Sequence, residues 1–229
     1  MGRAKEILVK VIPAKIANEF VKKHHYSGKV VQNSSLHFGC FLDSKLHGVM
    51  SFGSPMDKSK VLPLVQPSLW NEMLELNRMA FDDYLPKYSE SRCISISIKL
   101  IKKNAPHIKW IISYADGCQC GDGTIYRASG FYLTGVKRNT TMLLMPNGEI
   151  IADKTLNNDY YKKIGQSAGY WKKRGAKPIE GMQLRYIYLI DKTCKITVPI
   201  LPFSKIDEMG AGMYKGEKIT VKERQEENK

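Results

Sequence analysis

Apolar and polar positions along this chain follow two periods, and each change of period marks a change of element. Residues 5–12 (KEILVKVI) carry a strand pattern, and Pro13 then opens an amphipathic helix with Ile16, Phe20 and Val21 on one face. Two alternating runs, 35–44 and 45–54, meet around Asp43, Ser44 and Lys45 and read as an antiparallel hairpin. A proline-bearing loop runs from Pro55 to about Trp70. MLELNRMAF (73–81) then has strand character, and KWIISYAD (109–116) is a continuous apolar run suited to a buried strand.

Residues 89–106 fit both periods. Ile94, Ile96, Ile98 and Leu100 alternate as in a strand, while Ile94, Ile98 and Ile101 form a helical stripe. Ser89 and Ser91 before the run, Lys102 and Lys103 at its end and Pro106 beyond it are helix start and stop signals, so the segment reads as a helix. A turn bearing Gly117, Gly121 and Gly123 leads into a short helix ending at Gly130. Residues 140–152 form a second hairpin about Pro146, Asn147 and Gly148, QLRYIYLID (183–191) is a late strand, and the charged tail from Gly216 reads as frayed. The order β, α, β-hairpin, β, α, β, short α, β gives a mixed α/β fold. Its core spans 1–155, a basic aromatic extension with the late strand spans 156–215, and the charged tail spans 216–229.

Composition narrows the function. The 229 residues are 43% hydrophobic, enough for a core, and 36 Lys and Arg against 22 Asp and Glu leave a net charge of +14. Basic residues are scattered among apolar ones, so the charge belongs to a folded surface and points to a polyanionic partner. No run approaches the length of a spanning helix, and the first residues carry charges where an export signal needs apolar ones, so the expectation is a cytoplasmic protein with no membrane partner. Five cysteines, only Cys118 and Cys120 closely spaced, support neither a disulfide framework nor a zinc ribbon, and reduced loop thiols are the simpler reading.

YRASGF (126–131) resembles the Tyr-x-x-x-Gly-Phe ending of a helix in the GNAT acyltransferases. A wider set, KKHHYSG (22–28), FGCF and LHGVMSFGSP (38–55), ELNRM (75–79), ESR (90–92), SYAD (113–116) and GTIYRASGF (123–131), resembles in order the bacteriophage Mom family. The resemblance implies a central, mostly antiparallel mixed sheet flanked by helices. It also implies transfer to N6 of adenine in duplex DNA, giving a carbamoylmethyl group that protects phage DNA from host restriction, in the host cytoplasm. The donor it implies is acetyl-CoA, from the fold, or a glycyl carrier, with a metal ion an open requirement and the oligomeric state unread. The competing classes are a GNAT-type N-acetyltransferase acting on a protein or small amine, and a non-catalytic DNA-binding protein.

Individual residues carry these expectations beside plainer ones. Tyr126 is placed as the acid that protonates a leaving group, against a packing tyrosine. Asp116, at a strand end, would accept or orient the amine proton, against an Asx cap over Gly117. Arg78, in an otherwise apolar strand, needs an anion, with Glu75 as its internal alternative. His25 is the reacting one of an adjacent histidine pair, against a helix-terminus dipole partner. Ser89, Ser91 and Arg92 stand where GNAT enzymes hold the cofactor pyrophosphate, although no glycine lies between Leu85 and Ile101. Lys162, Lys163, Tyr170, Trp171, Lys172, Lys173 and Arg174 form a basic, aromatic segment without an acid, suited to DNA phosphates and a displaced base, against a solvated basic face.

Overall fold

The computed structural model describes residues 2–226. The chain forms two compact units, the first comprising the residues up to Ala115 with Gly123–Gly135 and Arg185–Phe203, the second Asp116–Asp122, Val136–Leu184 and the residues from Ser204 on.

The first unit is built on a seven-stranded sheet. Its strands are β1 (Leu8–Val11), β2 (Ser34–Leu42), β3 (Lys45–Gly53), β5 (Met73–Phe81), β6 (Trp110–Gly117), β11 (Met182–Leu189) and β7 (Tyr132–Arg138), in that spatial order. β1, β2, β3 and β5 pair antiparallel and β5 pairs parallel with β6, so the expected mixed, mostly antiparallel sheet is present. The β2–β3 turn places Asp43 and Ser44 at φ 49° and 62°, the left-handed pair that matches strand twist in a two-residue hairpin. A minor pairing joins β4 (Val65–Gln66) to β12 (Lys195–Ile196).

α1 (Ala14–His24) lies against the sheet through Ala17 and Val21, which join Ile12, Val49 and Ala80 in one cluster. Of the expected face Val21 is buried and Phe20 packs against the same cluster, whereas Ile16 is 44% exposed and the smaller Ala17 takes its place. The expected first strand is also shorter: Arg3–Glu6 is a 3-10 turn, tied by Arg3 to Glu6 and to Asp43. α2 (Lys58–Val61) lies in the proline-bearing loop, and Val61, Leu64 and Val65 cover Met73, Trp110, Ile112, Ile187 and Leu189. α3 (Ser89–Asn104) is a helix as expected. It buries Cys93, Ile94, Ser97, Ile98 and Ile101, spacings of three and four that only a helix brings to one face. α4 (Thr124–Ala128) follows the glycine turn.

The second unit has its own small sheet, β10 (Lys177–Pro178), β8 (Met142–Leu144) and β9 (Ile150–Ala152), with short helices α5 (Asp153–Leu156), α6 (Asp159–Lys163) and α7 (Ala168–Lys172). Leu143, Met145, Ile151, Leu156, Ala168 and Ala176 form its core, with Tyr161 and Trp171 packed against it. α8 (Ser204–Glu208) and α9 (Val221–Glu226) complete it. The tail was expected to fray, yet within the described residues α9 is a helix whose start is capped by Asp207, and Arg224 bonds the fully buried carboxylate of Asp122. No helix among the described residues is long and apolar enough to cross a membrane.

Arg224→Ala would leave the Asp122 carboxylate buried without its guanidinium, and loss of one partner of such a pair costs about 3–5 kcal/mol. Denaturant unfolding should show that loss; a change below about 1 kcal/mol would mean that the pair is not buried in solution.

Candidate active site

Pairing between β5 and β6 runs from Met73 opposite Trp110 to Leu76 opposite Ser113 and then stops. On its other side β5 carries a bulge: Leu76 faces Phe52 and Arg78 faces Ser51, so Asn77 is an extra residue. In an uninterrupted strand, positions three apart point to opposite faces; the extra residue returns Arg78 to the face of Glu75.

Arg78 is half-buried. Its Nε donates to the Lys29 carbonyl at 2.8 Å and its Nη1 to the Asn77 carbonyl at 2.7 Å. Burial pushes its pKa down, while the nearby ionisable groups Tyr26, Glu75 and Tyr126 act to raise it. The internal salt bridge with Glu75 considered from the sequence is thus replaced by carbonyl anchors, with Glu75 acting on the charge.

Tyr126, on α4, is 8% exposed and its ring lies 5.4 Å from Phe131 and 5.2 Å from Tyr186. The spacing of YRASGF has a backbone reason: Gly130 at φ 79° lets the Phe131 N–H return to the Tyr126 carbonyl at 3.0 Å, closing α4 and fixing the two rings.

His25 ends α1. Its Nδ1 accepts the Ser27 N–H at 3.1 Å and lies 2.8 Å from the Ser27 hydroxyl, and its ring centroid is 4.3 Å from that of Tyr26. The loop that carries them is tied down by Arg78 at Lys29 and by Asn33, whose side chain bonds the Ser54 carbonyl. Asn33 crosses Gly53 so closely that any Cβ there would overlap the Asn33 carbonyl oxygen.

Sequence reasoning passed over three neighbours. Tyr26 was in view within KKHHYSG, where the histidines drew attention. Tyr114 on β6 and Arg185 on β11 act electrostatically on each other. Burial, with Glu75 next, pushes the Tyr114 phenol up to about 12, so it stays neutral at physiological pH. Arg185 donates to the Thr134 hydroxyl and carbonyl at 3.0 and 2.8 Å. Its signal was the one used for Arg78, a guanidinium in an otherwise apolar strand. Together these residues give the first unit half-buried carboxylate, phenol and guanidinium groups, able to orient a polar planar substrate and exchange a proton with it.

Asp116 belongs to the second unit. Its Oδ1 accepts the Cys118 N–H and the Gln183 amide, each at 3.0 Å, and its Oδ2 accepts the Gln119 amide at 2.8 Å. The carboxylate therefore forms the Asx turn considered as its simpler role.

At the start of α3, Ser89 is fully buried and its hydroxyl and N–H both donate to the Pro86 carbonyl. Ser91 donates to the Tyr88 carbonyl at 3.2 Å and Arg92 to the Lys5 carbonyl at 3.1 Å. The turn is capped by Tyr88 at φ 73° where a small residue would open the backbone. Each of the three side chains is thus bonded to a main-chain carbonyl, and Arg92 Nε has no hydrogen-bond partner among the described residues. No group of three or more His, Cys, Asp or Glu side chains among the described residues is placed to hold a metal.

In the basic segment Lys162, Lys163, Lys173 and Arg174 are exposed, and Lys172 pairs with Asp153 at 3.2 Å. Arg174 covers the Tyr170 ring at 3.7 Å, and Trp171 packs into the core of its unit, so neither ring is a bare stacking face. The first unit carries 21 Lys and Arg against 10 Asp and Glu, the second 15 against 12 counted to the C-terminus.

The fold is thus a mixed α/β sheet with a polar cluster where β5 and β6 part. A model of the Mom protein family matches residues 6–205, and the chain belongs to that family. It is 32% identical over 195 residues to the methylcarbamoylase Mom of Escherichia phage Mu, covering 84% of this chain and 79% of that protein. Among solved structures it aligns with the ribosomal-protein-S18-alanine N-acetyltransferase of Escherichia coli (10% identity, 81% of this chain and 94% of that one, TM-score 0.45). It also aligns with a GNAT family acetyltransferase of Elizabethkingia anophelis (12% identity, 80% and 98%, TM-score 0.46).

The Asp116 turn yields a prediction about its cysteine. Burial and the Asp116 charge push the Cys118 thiol up to about 12, so little thiolate exists at pH 8. Iodoacetamide labelling followed by peptide mass spectrometry should find Cys118 at least about tenfold slower than free cysteine, and Asp116→Asn should quicken it. Labelling of the native protein at the free-thiol rate would contradict this environment.

Proposed function

We propose that this chain is a transferase that modifies adenine in duplex DNA at its exocyclic N6, giving N6-carbamoylmethyl adenine that shields phage DNA from restriction in the host cytoplasm. One observation carries the reading: a Mom-family chain folds so that a strand bulge places Arg78 and Glu75 on one face, with Tyr26 and Tyr126 acting on the same guanidinium. The net charge of +14 supports a DNA substrate.

Adenine N6 is a weak nucleophile because its lone pair is delocalised into the ring, so it must be positioned and relieved of a proton. A base within a duplex is out of reach of such groups, so the target nucleotide is flipped out. Arg78, held by two carbonyls, supplies a fixed positive charge for the donor's carbonyl or a DNA phosphate. Tyr126 gives its phenolic proton to the leaving group. Asp116 is the group assigned to the amine proton, and His25 orients the reacting groups through a hydrogen bond. Lys162, Lys163, Lys173 and Arg174 meet DNA phosphates.

The product bonds N6 to a methylene with the carbonyl one atom further out, so simple acetyl transfer does not account for it. An acyl donor then requires a further step, whereas a glycyl group transferred through its carbonyl gives an adduct isomeric with the carbamoylmethyl form. Labelled glycine that never enters the modified adenine excludes the second route.

Nucleoside mass spectrometry of DNA from cells expressing the chain tests the function, with a heavier deoxyadenosine expected. Tyr126→Phe should lower that product about 100-fold or more while duplex affinity stays within about twofold. Unmodified DNA from cells holding folded protein would refute the function, and loss of DNA binding in the variant would refute the role of Tyr126.

A further inference from the structure

Two loops of the first unit meet beside the polar cluster. The one between α1 and β2 carries Tyr26 and Lys29, and the one from β3 into α2 carries Met56, with Lys58 and Lys60 in the helix. The Asn33 side chain joins them by its bond to the Ser54 carbonyl, and Arg78 holds the first at the Lys29 carbonyl. Asp57 of the second is near enough to act on the Tyr114 phenol. Lys22, Lys23, Lys29, Lys58 and Lys60 are exposed. Between Glu19 and Asp57 the one acid in the sequence is Asp43, engaged at the β2–β3 turn by Arg3 and Tyr84.

Met56 stands out in this basic rim. It is 65% exposed, yet the backbone is fixed on both sides of it: Pro55 is buried, and Asp57 caps α2 by accepting the Lys60 N–H at 3.3 Å and its ammonium at 3.0 Å. A long, unbranched apolar side chain held out in water contributes little to the core. Set among lysines on a rigid mount, it has the make-up of the apolar wedges that enter base steps.

We propose that this rim grips duplex DNA and that Met56 enters the base stack, filling the place of the flipped adenine; the assignment rests on the adenine function proposed above. Taking a base out of a duplex leaves a gap between two stacking faces. An apolar side chain in that gap restores part of the lost contact and opposes the return of the base, and a polarizable thioether suits contact with aromatic rings. Lys29 and Lys58 meet the nearby phosphates. Met56 touches no reacting atom in this scheme; it is a positioning residue that acts through the duplex.

A nicked plasmid is resealed by DNA ligase with the purified full chain bound, then stripped of protein, and its topoisomers are resolved on a gel. The native protein should unwind the duplex and shift the topoisomers; at equal occupancy Met56→Ala should lose that shift and Met56→Leu should keep it. In expressing cells Met56→Ala should lower modified deoxyadenosine about tenfold and Met56→Leu less than about twofold, with thermal unfolding preserved in both. Lys29→Gln together with Lys58→Gln should lower the slope of log affinity against log salt by about two. A native protein that leaves the topoisomers unshifted overturns the wedge, as does a Met56→Ala protein that keeps the shift or the native level of modification. An unchanged salt slope removes the rim from the DNA. If cellular DNA is unmodified while a Met56-dependent shift is present, the adenine function alone falls and the wedge belongs to a DNA-binding protein.

Discussion

Strand β5 has antiparallel β3 on one side and parallel β6 on the other, and its parallel pairing ends after Leu76. Past that point the strand has lost half its ladder, and polar side chains stand where two strands part. Arg78 shows what the position requires. A guanidinium is tolerable in a half-buried setting only when its N–H groups are bonded, and the Lys29 and Asn77 carbonyls meet that need. The bond to Lys29 also ties down the loop carrying His25 and Tyr26, so one side chain both belongs to the polar cluster and anchors that loop. Gly53 belongs to this arrangement, because the loop crosses the sheet edge where no side chain fits.

Charge is distributed less simply than the basic segment at 160–178 suggests. The first unit carries the larger excess of Lys and Arg, while the segment stands beside Asp153 and Asp159, and Asp153 already engages Lys172. Arg174 and Tyr170 satisfy one another, and Trp171 has a structural role in its unit. What remains exposed in the segment is a set of lysines with Arg174, while in the first unit Tyr26 and Tyr114 are 50% and 43% exposed.

Much of the fold was legible because it rests on local chemistry. The hairpin at Asp43 and Ser44, the β5 and β6 runs and the Gly130 cap all follow from patterns within ten residues. α3 was resolved by its flanking serines and lysines against an equally good strand alternation. The bulge at Asn77 was not legible, since it follows from how β3 and β5 register and no glycine marks it. Nor was α9, because the partner of Arg224 lies some hundred residues earlier, and a charge-rich segment read in isolation resembles a solvated tail. Tyr126, Arg78 and His25 were picked out by resemblance and chemistry together, whereas Glu75 and Arg185 gain meaning only once strand order sets both of them near Tyr114.

The bond from the Ser27 amide to His25 settles which way that histidine can work. An amide N–H gives and never takes, so Nδ1 must offer a lone pair and, in the neutral ring, the proton resides on Nε2. Charging the ring would set two N–H groups against each other at Nδ1. In that tautomer Nε2 is the ring's donor, so the bond to Ser27 sets the direction in which His25 can give a hydrogen bond.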